Sequence, residues 1–346
     1  MLLSTNQHSL VGQGTWLLSI TWLLLLGVVA LFGDWLIAFF DLPTITAIDG
    51  RCMGGCPPID ASTQLHFLGT DSLGRDVLSQ LIGGTRTALF GGLAASGLSF
   101  VIGYLLGSWS AWYSKSGQKL SWLVLAEAVM TCIAVSYLLK YTSTPMYTLI
   151  AFLAGVILIA ITIMYTKNSS SGIRPDRMLV FLAEVFSSVP ALLLLLALAA
   201  MAFRPGLFQL VLIYVFVRWT RFAVLAQQEV KASLASPYVQ AAYHSGLSDR
   251  KVLWHHILPN TFGTLWVQAL LGVSAFIIIE GTFSFLGLGL PAEQASWGRI
   301  VSQARSVDGG WWLWVIPGLV LSLTILSLQT IGNRKSNSND FRQNFT

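Results

Sequence analysis

Residues 236–260 read SPYVQAAYHSGLSDRKVLWHHILPN and form the longest polar-enriched stretch in the apolar second half of the chain. Ser236 is a preferred N-cap, and Pro237 suits the first helical position, where no N–H is needed. Gly246 is typical of the left-handed residue that follows a helix. Pro259 predicts the end of a second short helix. The pattern predicts two short helices with a sharp bend, an elbow that exposes an amphipathic docking surface to water.

Each helix of this elbow carries an apolar face. Apolar residues at helical spacing indicate the side of a helix that packs against the rest of the protein. These positions are Val239, Ala242 and Tyr243 in the first helix and Leu253, Trp254 and Ile257 in the second. These two apolar faces predict that the elbow is amphipathic.

The composition is that of an integral membrane protein. Of 346 residues, 54% are hydrophobic and 10% are charged, and the mean hydropathy is +0.68. Soluble domains carry about 25% charged residues, and a helix needs about 20 mostly apolar residues to cross a bilayer. The sequence therefore predicts an all-α polytopic membrane protein. The candidate spans are 16–40, 88–113, 120–140, 146–166, 178–203, 207–227, 263–290 and 311–332.

The distribution of Lys and Arg predicts the orientation of these spans. With the N-terminus in the cytosol, the inside segments hold 13 of these residues and the outside segments hold 7, which sum to the 20 in the chain. Segments rich in Lys and Arg stay on the cytosolic side. Both termini and the elbow are therefore expected in the cytosol.

Two of the three cysteines of the chain lie in the first predicted outside loop, residues 41–87. Cys52 and Cys56 either form a disulfide that closes a small ring or remain free thiols. A metal site would need more ligands, and only His66 is near them in sequence. We therefore predict no metal site. The third cysteine, Cys132, lies in an apolar run and is interpreted as a core residue.

The same loop contains the string GTDSLGRD, which begins at Gly69. Thr70 is typical of turns, and Gly74 allows a tight bend. A helix along the membrane surface is predicted to follow, at residues 77–82. The charged residues of the string either pair with one another or remain solvated; they are Asp71, Arg75 and Asp76.

Two acidic residues inside predicted spans are candidates for function, because a charge at the bilayer centre costs about 2.5–3.5 kcal/mol on insertion scales. Glu280 is expected to face protein or water, and Gly287 beyond it to break the helix. Glu184 precedes Pro190, which is expected to kink its span. Glu184 either meets a positively charged substrate or pairs with an arginine at the cytosolic side, the interpretation we favour; the candidates are Arg218 and Arg221.

The elbow resembles the coupling loop, or EAA motif, of ABC importer permeases. The matching residues are Gln240-Ala241-Ala242, Gly246 and Leu258-Pro259, with Gln240 in place of the motif's glutamate. GTDSLGRD, and the segment from Glu280 to Gly289 with the Ser-Trp-Gly that follows, resemble the C-type subunit of dipeptide and oligopeptide permeases. The resemblance covers roughly residues 65–115 and 178–332.

This resemblance implies the type I ABC importer permease fold. The apolar runs give about eight transmembrane helices, and two of them, 120–140 and 146–166, are interpreted as a hairpin inserted into the family's pattern. Residues 1–87 would hold the first transmembrane helix and an extracytoplasmic loop. Residues 88–332 would form the permease domain, with the hairpin and its linker at 118–177 and the coupling loop at 228–262. The polar composition of residues 333–346 predicts a disordered tail.

Three groups of residues acquire expected roles from the resemblance. Contact with an ATPase is expected at Tyr238, Gln240, Ala241, Ala242, Gly246, Leu253, His256, Leu258 and Pro259. The translocation path is expected at Glu184, Pro190, Glu280, Ser284 and Gly287. The family's loop motif corresponds to Gly69, Thr70, Asp71, Gly74, Arg75 and Asp76.

The implied function is that of a membrane-spanning subunit, in the bacterial cytoplasmic (inner) membrane, of an ATP-driven importer of di- and oligopeptides. The implied partners are a homologous second permease, two cytosolic ATPase subunits, an extracytoplasmic binding protein and membrane lipid, without nucleic acid. The sequence contains no Walker A string, so ATP and Mg²⁺ are expected on the partner subunits. This chain is expected to bind no cofactor and to catalyse no reaction. The alternatives are another cargo of the same family (nickel chelate, oligosaccharide, antimicrobial peptide) and an ion-coupled secondary transporter.

Overall fold

A computed structural model describes four stretches of the chain: residues 4–58, 66–115, 175–201 and 206–343. These stretches are mostly helical, which confirms the predicted fold class. The α-helices are α1 Ser4–Phe39, α2 Val77–Lys115, α3 Pro175–Ser187, α4 Ala191–Met201, α5 Leu207–Ala235, α6 Pro237–His244, α7 Asp249–Val252, α8 Leu258–Phe285, α9 Trp297–Gln303 and α10 Trp312–Gln343. The shorter turns are two 3-10 turns, Gly50–Cys52 and Ala304–Ser306, and a π turn, Leu253–Ile257.

Five of these helices are long and apolar enough to cross a membrane, and α3 with α4 adds a sixth crossing if the pair is one broken span. Together they correspond to six of the eight predicted spans. The other two predicted spans, 120–140 and 146–166, lie outside the described residues. The polytopic architecture is thus confirmed for the part of the chain that the structure describes.

Helix α2 is longer than predicted. In place of a surface helix at residues 77–82 followed by a separate span, the structure has one continuous helix, Val77–Lys115. Gly83 and Gly84 do not interrupt it, because neighbouring side chains fill the space beside both glycines. The predicted domain boundary after residue 87 therefore falls inside this helix.

The predicted kink at Pro190 is confirmed. Helix α3 ends at Ser187 and α4 begins at Ala191, so the predicted span 178–203 is interrupted at the proline. Proline has no N–H to donate, and its ring crowds the carbonyl four residues earlier in a regular helix.

The C-terminal tail differs from its prediction. The polar composition of residues 333–346 predicts disorder, whereas α10 continues as a helix to Gln343. The preceding span has already nucleated this helix, so each further residue adds a hydrogen bond without the cost of a new nucleus.

The described chain divides into two compact units. Unit 1 comprises Met1–Ile102, Ser187–Phe222 and Phe262–Thr346. Within it α1 packs along α10, where Trp22 Nε1 donates to Thr324 Oγ1 at 3.2 Å. Helix α9 also packs on α10. The largest apolar core of this unit contains Leu26, Val77, Leu81, Ala88, Val273, Ile277, Trp297, Ile300, Leu313 and Leu328.

Unit 2 consists of Gly103–Phe186 and Ala223–Thr261 and contains the elbow. Gly107 of α2 lies so close to α5 that a Cβ at this position would collide with the Ala223 carbonyl. Lys231 Nζ of α5 lies 3.1 Å from Asp176 Oδ2 of α3. Close backbone packing and an ion pair thus join the helices that carry the elbow.

Candidate functional site

The elbow begins at the predicted residue, immediately after α5. Ser236 occupies the N-cap position of α6 with an extended backbone, and Pro237 is the first helical residue. The Ser236 hydroxyl does not cap α6; it donates to the Ser233 carbonyl at 2.5 Å. One residue therefore separates the two helices, and the end of α5 sets the direction in which α6 leaves.

Gly246 forms the bend of the elbow. Its φ is +79°, in the left-handed region. The Gly246 N–H donates to the Tyr243 carbonyl at 2.9 Å, and the Leu247 N–H donates to the Ala242 carbonyl at 3.3 Å. These two bonds are the Schellman motif, which satisfies the last carbonyls of a helix. An added Cβ would meet nothing within 4 Å, so backbone conformation, and not space, selects glycine here.

Pro259 does not end the second helix, which corrects the prediction. Helix α7 passes through the π turn Leu253–Ile257 and continues directly into α8. In this turn the Leu258 N–H donates to the Leu253 carbonyl, one residue further back than in an α-helix. The helix continues past Pro259 because a proline in the first turn after the π turn lies where a regular i→i−4 bond is already interrupted.

The inner face of the elbow is apolar. It buries Val239, Ala242, Val252 and Ile257 with Ala111 of α2 and Val230 of α5. The predicted inner face of α6 is confirmed. In the second helix one position is wrong: Trp254 is 61% exposed, and Val252 is fully buried instead. The π turn changes the angular spacing of the residues, which a regular helical period does not predict.

The outer face is polar and aromatic, and two of its side chains are fixed by hydrogen bonds, one within the elbow and one to the end of α5. Asn260 Nδ2 donates to the Tyr238 phenol oxygen at 3.1 Å. Gln240 Nε2 donates to the Leu234 carbonyl at 2.9 Å. The exposed residues include Tyr238, Gln240, Ala241, Arg250, Lys251, Trp254 and Pro259. Aromatic residues and arginine are enriched where proteins dock, so this surface suits a protein partner.

The predicted ATPase-contact residues thus separate into three groups, and Gly246 and Pro259 belong to the exposed one. Tyr238, Gln240 and Ala241 are exposed and accessible, whereas Ala242 is buried and supports the elbow from inside. The residues that are half-buried are Leu253, His256 and Leu258. Trp254 is exposed as well, although it was not among the predicted contact residues.

A second polar centre lies in the disulfide loop, which we define as residues 41–58 and 66–76. Asp71 is fully buried, and its Oδ1 accepts the backbone N–H groups of Leu73 and Arg75, both at 2.9 Å. Its Oδ2 accepts Arg75 Nε at 2.9 Å and Gln80 Nε2 at 3.1 Å. Asp71 and Arg75 therefore form a buried pair and are not solvated, which was one of the two alternatives for the charges of this string.

Asp76 has a separate role from this pair. Its Oδ2 caps the start of α2 by accepting the backbone N–H of Ser79 at 2.7 Å and the Ser79 hydroxyl at 2.9 Å. Its Oδ1 lies 3.1 Å from Nδ1 of His66. On the other side of the imidazole, Nε2 lies 3.5 Å from Asp49 Oδ2. The Arg51 N–H donates to Asp49 and holds the pKa of that carboxyl below its usual value.

A disulfide joins Cys52 and Cys56, whose Cα atoms are 5.2 Å apart. Thr70 fastens this ring to GTDSLGRD: its Oγ1 accepts the Cys56 N–H at 2.8 Å, and its own N–H donates to the Cys56 carbonyl at 3.0 Å. Potential metal-ligand atoms of Asp49, Cys52 and His66 all lie within 4.8 Å of one another. The structure thus brings Cys52 next to two other ligand types.

The residues expected on a translocation path lie in different environments. Ser284 Oγ donates to Glu280 Oε1 at 2.8 Å, and both side chains are buried, so Glu280 faces protein as expected. Gly287, with φ +77°, lies just beyond the end of α8. Glu184 and Pro190 are exposed. The pairing of Glu184 with an arginine of α5 stays a prediction.

Comparison with known families identifies the class of this chain. The model of the binding-protein-dependent transport system inner membrane component family matches residues 157–337, more than half of the chain. The chain belongs to this family. The match includes the elbow, helices α5 and α8, and most of α10. The predicted membership of the ABC importer permeases is confirmed.

This permease is similar to curated proteins of several bacteria. It is 27% identical over 270 residues to a putative peptide transport system permease protein of Brucella suis, covering 78% of this chain and 71% of that protein. It is 27% identical over 312 residues to the probable D,D-dipeptide transport system permease protein of Escherichia coli, covering 90% and 82%. It is 27% identical over 280 residues to the di/tripeptide transport system permease protein of Pseudomonas aeruginosa, covering 80% and 73%.

Proposed function

We propose that this permease is the membrane-spanning subunit of an ATP-driven importer of di- and oligopeptides. The three relatives described above are named as permeases for peptides, D,D-dipeptides and di- or tripeptides. A homologous second permease and two cytosolic ATPase subunits complete the transporter, and an extracytoplasmic binding protein delivers the peptide. ATP and Mg²⁺ bind to the ATPase subunits, and this chain contributes no catalytic group.

The elbow couples this permease to one ATPase subunit. The observation that supports the proposal is its two-sided construction: an exposed outer face with Tyr238 and Trp254, and an inner face anchored by Val239 and Ile257. Because the inner face packs on α2 and α5, a displacement of the elbow moves these helices as one body. The elbow then acts as a rigid lever.

The transport cycle in this proposal is a two-state switch. ATP binding closes the ATPase pair and shifts the elbow. Helices α5 and α8 follow, and the path changes from inward-facing to outward-facing; hydrolysis resets it. The path involves the residues expected for it from the sequence: Glu184, Pro190, Glu280, Ser284 and Gly287.

The orientation is part of the proposal. The permease lies in the inner membrane with the elbow and both termini in the cytosol, and the disulfide loop lies on the opposite side. The support is the excess of Lys and Arg in the inside segments, 13 against 7. A docking surface for a cytosolic ATPase requires the same placement.

The test compares two open left-handed glycines. Gly246→Asp introduces a charge at the bend of the elbow, and Gly309→Asp introduces the same change at a glycine with φ +70° and equally free space, outside the elbow. In the assembled transporter, Gly246→Asp is expected to abolish peptide uptake and uncouple ATP hydrolysis from substrate, whereas Gly309→Asp keeps both. Membrane insertion should be normal in both variants. Normal uptake in Gly246→Asp would refute the lever.

A further inference from the structure

The disulfide loop buries a histidine in an unusual position. His66 is 3% exposed and lies between the carboxylates of Asp76 and Asp49. The geometry fixes its tautomer: Asp76 Oδ1 can only accept, so Nδ1, 3.1 Å away, carries the proton. In the neutral imidazole, Nε2 then presents a lone pair to Asp49 Oδ2, 3.5 Å away. Two acceptors face each other, and Nε2 has no hydrogen-bond partner among the described residues.

A cation between His66 Nε2 and Asp49 Oδ2 would be bound by both acceptors, and the distance between the two atoms is suitable for a metal ion. Zinc binds imidazole nitrogen at about 2.0–2.1 Å and carboxylate oxygen at about 2.0–2.2 Å, so two such ligands of a tetrahedral ion lie about 3.4 Å apart. The observed separation of Nε2 and Oδ2 is 3.5 Å. The hydrogen bond from Nδ1 to a carboxylate is also the orienting contact that metal-bound histidines have in proteins.

One sulfur, Sγ of Cys52, lies at the same place, and a disulfide joins it to the second sulfur. Sγ of Cys52 lies within 4.8 Å of both the Asp49 and the His66 ligand atoms, and it is bonded to Sγ of Cys56. A disulfide sulfur is a poor ligand, because zinc binds the thiolate. Cleavage of this bond would leave the Cys52 thiolate beside the imidazole and the carboxylate, and a rotation of the freed Cys56 side chain would add the fourth ligand of a tetrahedral site.

We propose that the disulfide loop becomes a zinc site when it is reduced, with Asp49, Cys52, Cys56 and His66 as ligands. A dithiol transfers two electrons and two protons to the disulfide and leaves as its own disulfide. Zinc then binds both sulfurs and releases the two thiol protons. The ring between Cys52 and Cys56 is thus closed either by the disulfide or by a zinc ion. This inference does not depend on the proposed transport function.

The alternative occupant of the gap is a proton on Nε2, which makes His66 an imidazolium paired with both carboxylates. The two cases differ in a direct measurement. The full-length permease in detergent is reduced with dithiothreitol, desalted without oxygen and titrated with Co²⁺, which reports tetrahedral sulfur coordination by its visible and near-ultraviolet absorption. We expect one equivalent in the reduced protein, displaced by Zn²⁺, and at least 100-fold weaker binding in the oxidised protein.

Variants locate the site. His66→Ala and Cys52→Ser should lose the absorption, whereas Cys132→Ser and His255→Ala, matched changes elsewhere in the chain, should retain it. Asp76→Asn should keep the stoichiometry but weaken the affinity by about 10–100-fold, because Asp76 orients the imidazole without touching the metal.

A measurement on the unchanged protein does not depend on the folding of any variant. Zn²⁺ should protect Cys52 and Cys56 of the reduced permease from alkylation, as read by mass spectrometry. The proposal is overturned if the reduced protein shows no cobalt absorption and no protection, since a proton then fills the gap. It is also overturned if His66→Ala keeps the absorption or if the oxidised protein binds as tightly.

Discussion

The elbow and the disulfide loop solve the same problem in opposite ways. Both are short polar segments that must keep one shape outside the apolar spans. The elbow buries its apolar residues and leaves Arg250 and Lys251 exposed. The disulfide loop buries its charges, Asp71 and Arg75, and leaves Met53 and Phe67 exposed. One segment is held mainly by apolar packing and the other mainly by hydrogen bonds, an ion pair and a disulfide.

This difference determines how each segment responds to substitution. Apolar burial is non-directional and roughly proportional to area, so a packed face tolerates similar shapes. A buried charge requires a specific partner at a specific distance, and its loss leaves the partner uncompensated. The disulfide loop should therefore be the less tolerant of the two to single polar changes, and the elbow the less tolerant to apolar truncation.

The largest effect is expected from Asp71→Asn. This change keeps the shape of the side chain but leaves the buried Arg75 guanidinium without its counter-charge, which should cost about 3–5 kcal/mol. Thermal unfolding of the permease in detergent measures the loss. The control is Asp308→Asn, because Asp308 is exposed in the loop between α9 and α10. That substitution should change stability by less than about 0.5 kcal/mol. Equal losses in the two variants would contradict the contrast between buried and exposed charges.

A second prediction separates the two faces of the elbow. Ile257→Ala removes a fully buried side chain and should destabilise the permease by about 2–5 kcal/mol. Trp254→Ala, three residues earlier on the outer face, should change stability by less than about 0.5 kcal/mol. Under the proposed function it should nevertheless reduce co-purification of the ATPase subunit. A loss of stability in Trp254→Ala with unchanged association would show that the assignment of the two faces is wrong.

The smallest effect is expected from Gln240→Glu. A carboxylate cannot donate to the Leu234 carbonyl, now 2.9 Å from Nε2, so this bond is lost and the side chain turns to solvent. The cost should lie near the lower end of the 0.5–1.5 kcal/mol that is typical of one hydrogen bond, or about 0.5 kcal/mol, because the group is exposed. Gln240→Ala should lose the same stability. Uptake should stay close to wild type in Gln240→Glu; a large loss would mean that the amide itself contacts the ATPase.

Several features of the elbow were predictable from local residue chemistry. Pro237 has a fixed φ and Gly246 permits a left-handed backbone, so these two residues predicted a helix start and a bend without knowledge of the tertiary structure. Pro259 shows the limit of this reasoning. Whether this proline ends the helix depends on the π turn that precedes it, and no single residue of that turn predicts a π conformation. The exposure of Trp254 was missed for the same reason.

The pattern of apolar runs was enough to establish a polytopic membrane protein, because a bilayer imposes one minimum length on every helix that crosses it. The string GTDSLGRD likewise predicted a turn, and it showed which charged residues could pair there. Only the tertiary structure decided which charges pair, and that Asp49 and His66 meet at the cysteine ring. Such contacts join residues 17 positions apart through the folding of a loop, and spacing in sequence does not specify them.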